Sequence, residues 1–148
     1  ALNINTVIKE TVQVLNSEFV MQNLNIHLDL SKTIPDVMGN QIQLQQVLIN
    51  LIINAIQAMQ QRKKADRSIS IITSRENESR IRVSVEDSGP GLDPEQLEVI
   101  FEPLISKRPE GLGMGLSICR SIVQAYGGRI WAENKPSGGA RISFTLPA

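Results

Sequence analysis

The amino-acid sequence predicts an α+β fold, a two-layer α/β sandwich in which about five strands form a mixed sheet covered by about three helices. Two kinds of hydrophobic spacing predict it: several stretches repeat every three or four residues, as helices do, and others alternate with period two, as strands do. Glycine and proline clusters separate these stretches. The chain has 148 residues, of which 41% are apolar. We therefore expect one domain over residues 1–148, with a core of its own.

The long helices are predicted from apolar side chains at helical spacing and from residues that suit helix ends. They occupy residues 5–19, capped by Asn5 or Thr6, residues 40–61, and the stretch from Met114 to the Gly127–Gly128 pair. A short helix is expected to begin at Asp93-Pro94, because proline suits the first helical turn.

The strands are predicted from alternation between turn-forming residues. They lie near residues 26–30, 68–75, 80–87, 129–133 and 142–146. Residues 101–113 contain two prolines and two glycines and are predicted to form a loop.

The composition excludes several classes of function. The 15 basic residues balance the 15 acidic ones, so we expect neither nucleic acid nor a membrane as a direct partner. A single cysteine, Cys119, excludes an internal disulfide and a cysteine-rich zinc site, and its apolar surroundings predict a buried, inert thiol. No apolar run reaches the roughly 20 residues that span a bilayer. A cytoplasmic location is expected, although a longer parent protein could be membrane-anchored.

The second predicted helix carries an unusual polar stripe. Its members are all amides, spaced three or four residues apart on one face: Gln43, Gln46, Asn50, Asn54, Gln57 and Gln61. Amides suit a cleft that binds a cation and polar ligand atoms, and an amide oxygen is an appropriate ligand for Mg²⁺. The alternative is a partly wet helix face.

A carboxylate ends the strand that precedes a glycine-rich turn. Alternation places Asp87 on the same inward face as Val83 and Val85. Gly89 and Gly91 follow, and they would let a ligand approach the backbone closely. A carboxylate in a cleft prefers charged or directional donors, such as the exocyclic amine of adenine. The alternative is a turn aspartate that bonds to its own loop.

A glycine-rich segment opens the third helix. Gly111, Gly113 and Gly115 would bare backbone amides at a helix N-terminus, where an anionic phosphate is favoured. Lys107 and Arg108 lie just before them and could reach phosphates. A flexible loop with a solvated basic pair is the alternative.

These features together resemble the motifs of a known family. In order along the chain they are Asn50-x-x-x-Asn54, Asp87-x-Gly89-x-Gly91, Phe101-Glu102-Pro103 and Gly111-x-Gly113-x-Gly115. They resemble the N, G1, F and G2 boxes of the histidine-kinase catalytic domain, which shares the Bergerat fold with gyrase and MutL. The resemblance covers essentially the whole chain. The phrases FEPLISK and GLGMGLSICRSIV are most similar to nitrogen- and oxygen-sensing bacterial kinases.

The resemblance implies an ATP site between the amide helix and the sheet. Asn54 would coordinate Mg²⁺, and Asn50 would line the phosphate region as a catalytic residue. Asp87 would accept the adenine amine, with Gly89 and Gly91 beside the base.

The same resemblance implies a mobile cover over the phosphates. Phe101 would anchor its start, and Gly111, Gly113 and Gly115 would hinge it and present amides. Many relatives carry a lysine where this chain has Gln57. Lys107, also as a catalytic residue, or Arg108 would then supply the cation that faces the phosphates. A second departure is Gly39-Asn40 in place of Gly-Asp, and Asn40 can still cap the amide helix.

The phosphoacceptor segment of the family is missing. His27 lies in a predicted edge strand and does not match the acceptor pattern. The implied function is therefore donation of the γ-phosphate of ATP to a histidine on the separate dimerisation and phosphoacceptor domain of a parent kinase. A response regulator would be an indirect partner, and the isolated domain would be monomeric.

Three other functions remain open from the sequence. A gyrase-like ATPase would need a water-activating glutamate where Asn50 stands. The others are a serine kinase of the anti-sigma type and a module that senses nucleotide without transferring phosphate.

Overall fold

Five strands form one mixed sheet in the computed structural model, which describes residues 1–60, 66–102 and 113–148. They are β1 (Asn25–Leu30), β2 (Ser68–Asn77), β3 (Arg80–Asp87), β4 (Ile130–Asn134) and β5 (Ala140–Pro147). Their spatial order is β1-β2-β3-β5-β4. β1 pairs with β2 in parallel, and the remaining neighbours are antiparallel.

A layer of helices covers one face of this sheet. The helices of the described ranges are α1 (Ile4–Val14), α2 (Asn16–Met21), α3 (Gln41–Ala58), α4 (Pro94–Val99) and α5 (Gly113–Ala125). α3 is the centre of the layer, because it contacts α1, α5 and strand β3. The predicted α+β fold class, a two-layer sandwich with a five-stranded mixed sheet, is confirmed.

The core lies between α3 and the two central strands. Val83 of β3 is paired with Phe144 of β5, and both side chains are fully buried. The inward residues on either side of them in the same strands are also buried: Ile81, Val85, Ile142 and Leu146. Seven apolar residues of α3 cover this row: Leu44, Val47, Leu48, Leu51, Ile52, Ala55 and Ile56. α3 is therefore packed along the buried face of the sheet.

The first predicted helix is interrupted. Residues 5–19 form two helices, α1 and α2, that are separated at Leu15 (φ −92°, ψ 6°). The predicted caps Asn5 and Thr6 are wrong, since the Asn3 side chain accepts from the backbone N–H groups of both residues at 2.9 and 3.3 Å. Asn5 instead donates to the Ser31 carbonyl at 2.7 Å and so ties α1 to the end of β1.

The ends of the other long helices follow local chemistry. Asn40 caps α3, accepting from the Gln43 N–H at 3.1 Å, as predicted. α3 ends at Ala58, earlier than the predicted residue 61. Beyond α5, Gly127 has φ 83°, and the N–H groups of Gly127 and Gly128 bond to carbonyls of the last helical turn. The predicted glycine cap is therefore present as a Schellman motif.

The opposite face of the sheet carries polar and aromatic side chains. Trp131 lies there, outside the core, with the guanidinium groups of Arg129 and Arg82 at 4.8 and 5.0 Å from its ring centroid.

His27 is exposed on edge strand β1, as predicted. Across the ranges that the structure describes, no helix has the length and apolar character to cross a bilayer.

Candidate functional site

The amide stripe of α3 faces the beginning of α5. The Asn50 side chain donates to the Gly115 carbonyl at 3.3 Å. A methyl group on Gly115 would lie 3.4 Å from the Asn50 amide carbon, an ordinary van der Waals contact, so the two helices lie side by side here without crowding. At the N-terminal end of the stripe, Gln43 accepts from the Tyr126 hydroxyl. Asn50 and Gln43 thus join α3 to α5 and the residue that follows it, while Gln43 and Gln46 are exposed. The stripe is partly a contact between these segments and partly the wet helix face of the alternative.

Asn54 lies one helical turn beyond Asn50 on the same face. Its side chain is half-buried. It makes no hydrogen bond to another residue within the ranges 1–60, 66–102 and 113–148. An amide oxygen in this position can serve as a hard ligand for a small cation.

Asp87 ends the inward row of β3 and is 5% exposed. One carboxylate oxygen, Oδ1, accepts from the Gly89 N–H at 2.8 Å and from the Ala140 N–H at 3.2 Å. The first bond is the local turn interaction that the sequence left open as an alternative. The second comes from β5, and it fixes the carboxylate against the sheet as well as against its own loop. A carboxylate that accepts two backbone hydrogen bonds is held in one orientation, as recognition of a base requires.

The glycines after Asp87 are required by their surroundings. A methyl group on Gly89 would lie 2.9 Å from the carbonyl oxygen of Ala58, the last residue of α3. Gly91 has φ 84°, a conformation that other residues adopt only with strain. The loop that follows Asp87, residues 88–92 (the Asp87 loop), thus packs against the C-terminal end of α3, the helix that carries the amide stripe. The two predicted halves of the site adjoin at this point.

Asn134 is a residue of this region that the sequence analysis missed. It lies at the end of β4, where its Oδ1 accepts from the Leu92 N–H at 2.8 Å and its Nδ2 donates to the Leu92 carbonyl at 2.7 Å. In the sequence it resembles an ordinary turn asparagine before Lys135-Pro136. No local pattern could have identified its partner.

Of the remaining predicted site residues, the structure describes two and leaves three outside its described ranges. Phe101 is 4% exposed and belongs to the hydrophobic core, a position that suits an anchor. Gly113 is the first residue of α5. The positions of Lys107, Arg108 and Gly111 lie outside the described residues.

Cys119 is buried in the helical layer near the amide stripe. Its Sγ is 3.6 Å from the Val47 carbonyl oxygen, and burial raises the pKa of the thiol to about 12. The thiol therefore stays protonated at neutral pH and is a poor nucleophile, as predicted. Among the described residues, no group of three or more histidine, cysteine or acidic side chains could hold a metal ion.

A directed carboxylate at the end of an inward strand row, a glycine turn with positive φ beside it and an adjoining amide-lined helix lie together in this α/β sandwich, as a nucleotide-binding site would require. Residues 39–148 match the family described as histidine kinase-, DNA gyrase B- and HSP90-like ATPase. The chain belongs to this family. Its nucleotide is accordingly ATP.

Individual relatives show which members of this family the chain resembles. The catalytic domain of histidine kinase ThkA, in a nucleotide-free form, superposes with a TM-score of 0.87 at 33% identity, covering 99% of this chain and 93% of that one. Sensor protein FixL of Bradyrhizobium diazoefficiens is 39% identical over 127 residues, 86% of this chain and 25% of FixL. Sensor histidine kinase TmoS of Ectopseudomonas mendocina is 31% identical over 147 residues, 99% of this chain and 15% of TmoS. The chain thus spans a quarter or less of these two relatives.

A second ThkA structure contains a further protein. It shows histidine kinase ThkA in complex with the response regulator TrrA, and it matches with a TM-score of 0.82 at 31% identity, covering 99% of this chain and 40% of that one. FixL, TmoS and ThkA are thus all sensor proteins or histidine kinases, and the matching part of ThkA is its catalytic domain.

Proposed function

We propose that this chain is the catalytic domain of a sensor histidine kinase, which binds Mg·ATP and donates the γ-phosphate to a histidine on a separate dimerisation and phosphoacceptor domain. The observation that carries the proposal is the fixed carboxylate of Asp87 beside the end of α3. It supplies a base-recognition group next to the helix that bears Asn54. The likeness to the ThkA catalytic domain over 99% of the chain supports the same function.

In this proposal the base contacts the loop that follows β3. The Asp87 carboxylate accepts from the exocyclic amine of adenine, and Gly89 and Gly91 leave room for the ring. Guanine carries an oxygen where adenine carries that amine. A carboxylate at this position therefore favours ATP over GTP.

Mg²⁺ would be held by the Asn54 amide oxygen together with phosphate oxygens and water. The residues present fit such an ion, because Asn54 is half-buried, makes no hydrogen bond within the described part of the chain and offers a hard oxygen donor. A magnesium ion commonly takes only one or two protein ligands and shares the rest with substrate phosphates. Bound there, it would neutralise charge on the phosphates.

Catalysis by this domain would consist mainly of positioning and charge neutralisation. A histidine nitrogen attacks the γ-phosphorus, the bond to the bridging oxygen breaks, ADP leaves, and the ring proton passes to solvent. Asn50 would line the phosphate region. Lys107 or Arg108 would supply the cation, and the amides near Gly111, Gly113 and Gly115 would face the phosphates.

The partners follow from the chemistry of transfer. A dimerisation and phosphoacceptor domain of the parent protein would receive the phosphate, and a response regulator would take it in turn, as the complex of ThkA with a response regulator suggests. Because ATP is the donor, the domain would act in the cytoplasm, wherever the rest of the parent protein lies.

Transfer of label from ATP radiolabelled on the γ-phosphate tests the proposal. The chain alone should hydrolyse ATP slowly and stay unlabelled, since Asn50 is an amide and a poor general base. Mixed with the dimerisation and phosphoacceptor domain of its parent, it should label that domain with the acid-labile, base-stable behaviour of phosphohistidine. Asn54→Ala should abolish labelling. The matched control His27→Gln changes an exposed residue of β1 and should leave labelling intact.

Other outcomes point to other functions. Rapid turnover by the chain alone would favour a gyrase-like ATPase. Acid-stable label on a serine would favour an anti-sigma type of kinase. Tight ATP binding without transfer, even at high concentration of the matched domain, would favour a nucleotide-sensing module.

A further inference from the structure

The turn between β4 and β5 lies directly against the segment that follows β3. The Ala140 N–H bonds to Asp87 at 3.2 Å, and Asn134 bonds twice to the backbone of Leu92, at 2.8 and 2.7 Å. Gly139, with φ 85°, is so close that a methyl group on it would lie 2.0 Å from the Asp87 carbonyl oxygen. The hairpin turn therefore packs against one side of the Asp87 loop.

The contact of Asn134 with Leu92 imitates strand pairing. A carboxamide can accept from a backbone N–H and donate to the carbonyl of the same residue, as a neighbouring peptide group would. β3 ends at Asp87, and β4 pairs only with β5 among the described strands. The two bonds thus extend backbone pairing beyond the sheet, to a loop residue that has no strand neighbour.

Gly91 is fitted to the same asparagine. A methyl group on Gly91 would lie 2.9 Å from the Asn134 Oδ1. The absence of a side chain at Gly91 therefore permits both the positive φ and the close approach of Asn134. A large rotation of the Gly91–Leu92 backbone would carry the Leu92 N–H and carbonyl away from the Asn134 side chain.

We propose that Asn134 is a positioning residue for recognition of the nucleotide base: its paired bonds to Leu92 hold the Gly89–Leu92 loop in the conformation that faces the base beside Asp87. This inference rests on the proposed function, in which that loop binds adenine. Without the two bonds the loop samples other conformations. The apparent dissociation constant rises by the inverse of the fraction of chains that remain competent to bind.

Nucleotide titration calorimetry on Asn134→Ala tests the inference. The dissociation constants for ATP and ADP should rise by the same factor, roughly tenfold, as expected for two lost hydrogen bonds. GTP lacks the amine that Asp87 accepts and so gains less from a held loop. Its dissociation constant should rise by a smaller factor, and the preference for ATP over GTP should shrink. In the transfer reaction, KM for ATP should rise while kcat at saturating ATP stays unchanged, since Asn134 acts before the phosphates react.

Two further variants separate this role from general stability. Asn134→Asp keeps the size of the side chain and its acceptor, but places a second oxygen against the Leu92 carbonyl, so it should also bind ATP more weakly. Glu133→Gln alters the preceding residue, which faces Arg141 on the other side of β4, and should bind ATP as the unchanged chain does. Thermal melting without nucleotide reports folding for each variant.

The outcomes distinguish this inference from the proposed function. Should the unchanged chain bind no nucleotide, the proposed function and this inference both fail. Should it bind ATP while both Asn134 variants bind equally tightly with equal base preference, the inference alone is overturned, even if melting temperatures fall. If Asn134→Ala does not fold, Asn134→Asp decides between these outcomes by the same titration.

Discussion

The Asp87 carboxylate accepts a hydrogen bond at 3.2 Å from the backbone N–H of Ala140, a residue 53 positions further along the chain. The bond joins the end of β3 to the start of β5 at the inner face of the sheet. The same oxygen also accepts from Gly89 at 2.8 Å. One carboxylate oxygen therefore has a structural role, which the corresponding amide oxygen of an asparagine could take over.

Asp87→Asn should consequently keep the fold and alter base recognition. The asparagine Oδ1 can still accept from Gly89 and Ala140, while the second carboxylate oxygen becomes an NH₂ group. That group would present a donor to the adenine amine, and a mispaired contact of this kind costs on the order of 1–3 kcal/mol. Calorimetry should show weaker ATP binding and a reduced preference for ATP over GTP. Asp29→Asn, which alters an exposed carboxylate on β1, is the control.

Unchanged ATP affinity and base preference in Asp87→Asn would contradict the assignment. Asp87 would then be a turn residue that joins β3 to β5 and has no contact with the base.

Asn54→Ala should weaken binding of Mg·ATP more than binding of metal-free ATP. The substitution removes the proposed metal ligand but no hydrogen bond to another described residue. The expected loss is roughly tenfold or more with Mg²⁺, and little without it. Titrations with magnesium and with a chelator measure both values. Gln46→Ala, two turns earlier on the same face and exposed, should change neither. Equal weakening under both conditions would remove Asn54 from the metal role.

Gly139→Ala should destabilise the fold sharply. The glycine has φ 85°, and its added methyl would lie 2.0 Å from the Asp87 carbonyl oxygen, which is backbone and cannot rotate away. Left-handed strain costs about 1–3 kcal/mol, and the collision adds to it. Gly138→Ala is a matched control, because Gly138 has φ 102° with no atom within 4 Å of an added methyl. Urea denaturation should show a clearly larger loss for Gly139→Ala.

Equal losses in the two glycine variants would mean that the hairpin turn can move away from Asp87 at little cost. The packing of that turn against Asp87 would then stabilise the fold less than the close approach of Gly139 indicates.

Local patterns were sufficient to predict the positions of Asp87 and of the amide stripe in the candidate site. Period-two alternation places Asp87 inward because neighbouring side chains on a strand point to opposite faces. The amide stripe is predictable for the same reason, since Asn50 and Asn54 are one helical turn apart. Both inferences depend on residues close in sequence.

The position of Asn134 depends on contacts that no local pattern encodes. Asn134 meets Leu92 only because β5 lies between β3 and β4 and the end of β4 reaches past the sheet. The break at Leu15 escapes prediction for another reason: α2 resumes nearly in phase, so Val12, Leu15 and Phe19 keep helical spacing across it. The predicted caps were wrong because the helix begins at Ile4, so residues 5 and 6 already lie inside the first turn and Asn3 is the cap.

Cys119 should make the stability of the chain depend on pH above the physiological range. Burial raises the pKa of its thiol from 9.0 to about 12, so the folded chain keeps a proton that the unfolded chain releases. The resulting stabilisation is fully present below pH 9.0 and is lost as pH rises towards about 12. Cys119→Ala removes this term, together with some packing at every pH. In urea denaturation the unchanged chain should be the more stable at neutral pH, and its advantage should narrow across that window. Groups that titrate in both proteins cancel in the comparison. A constant difference between the two proteins from neutral pH to well above 9.0 would show that the thiol ionises as easily in the folded chain as in the unfolded one.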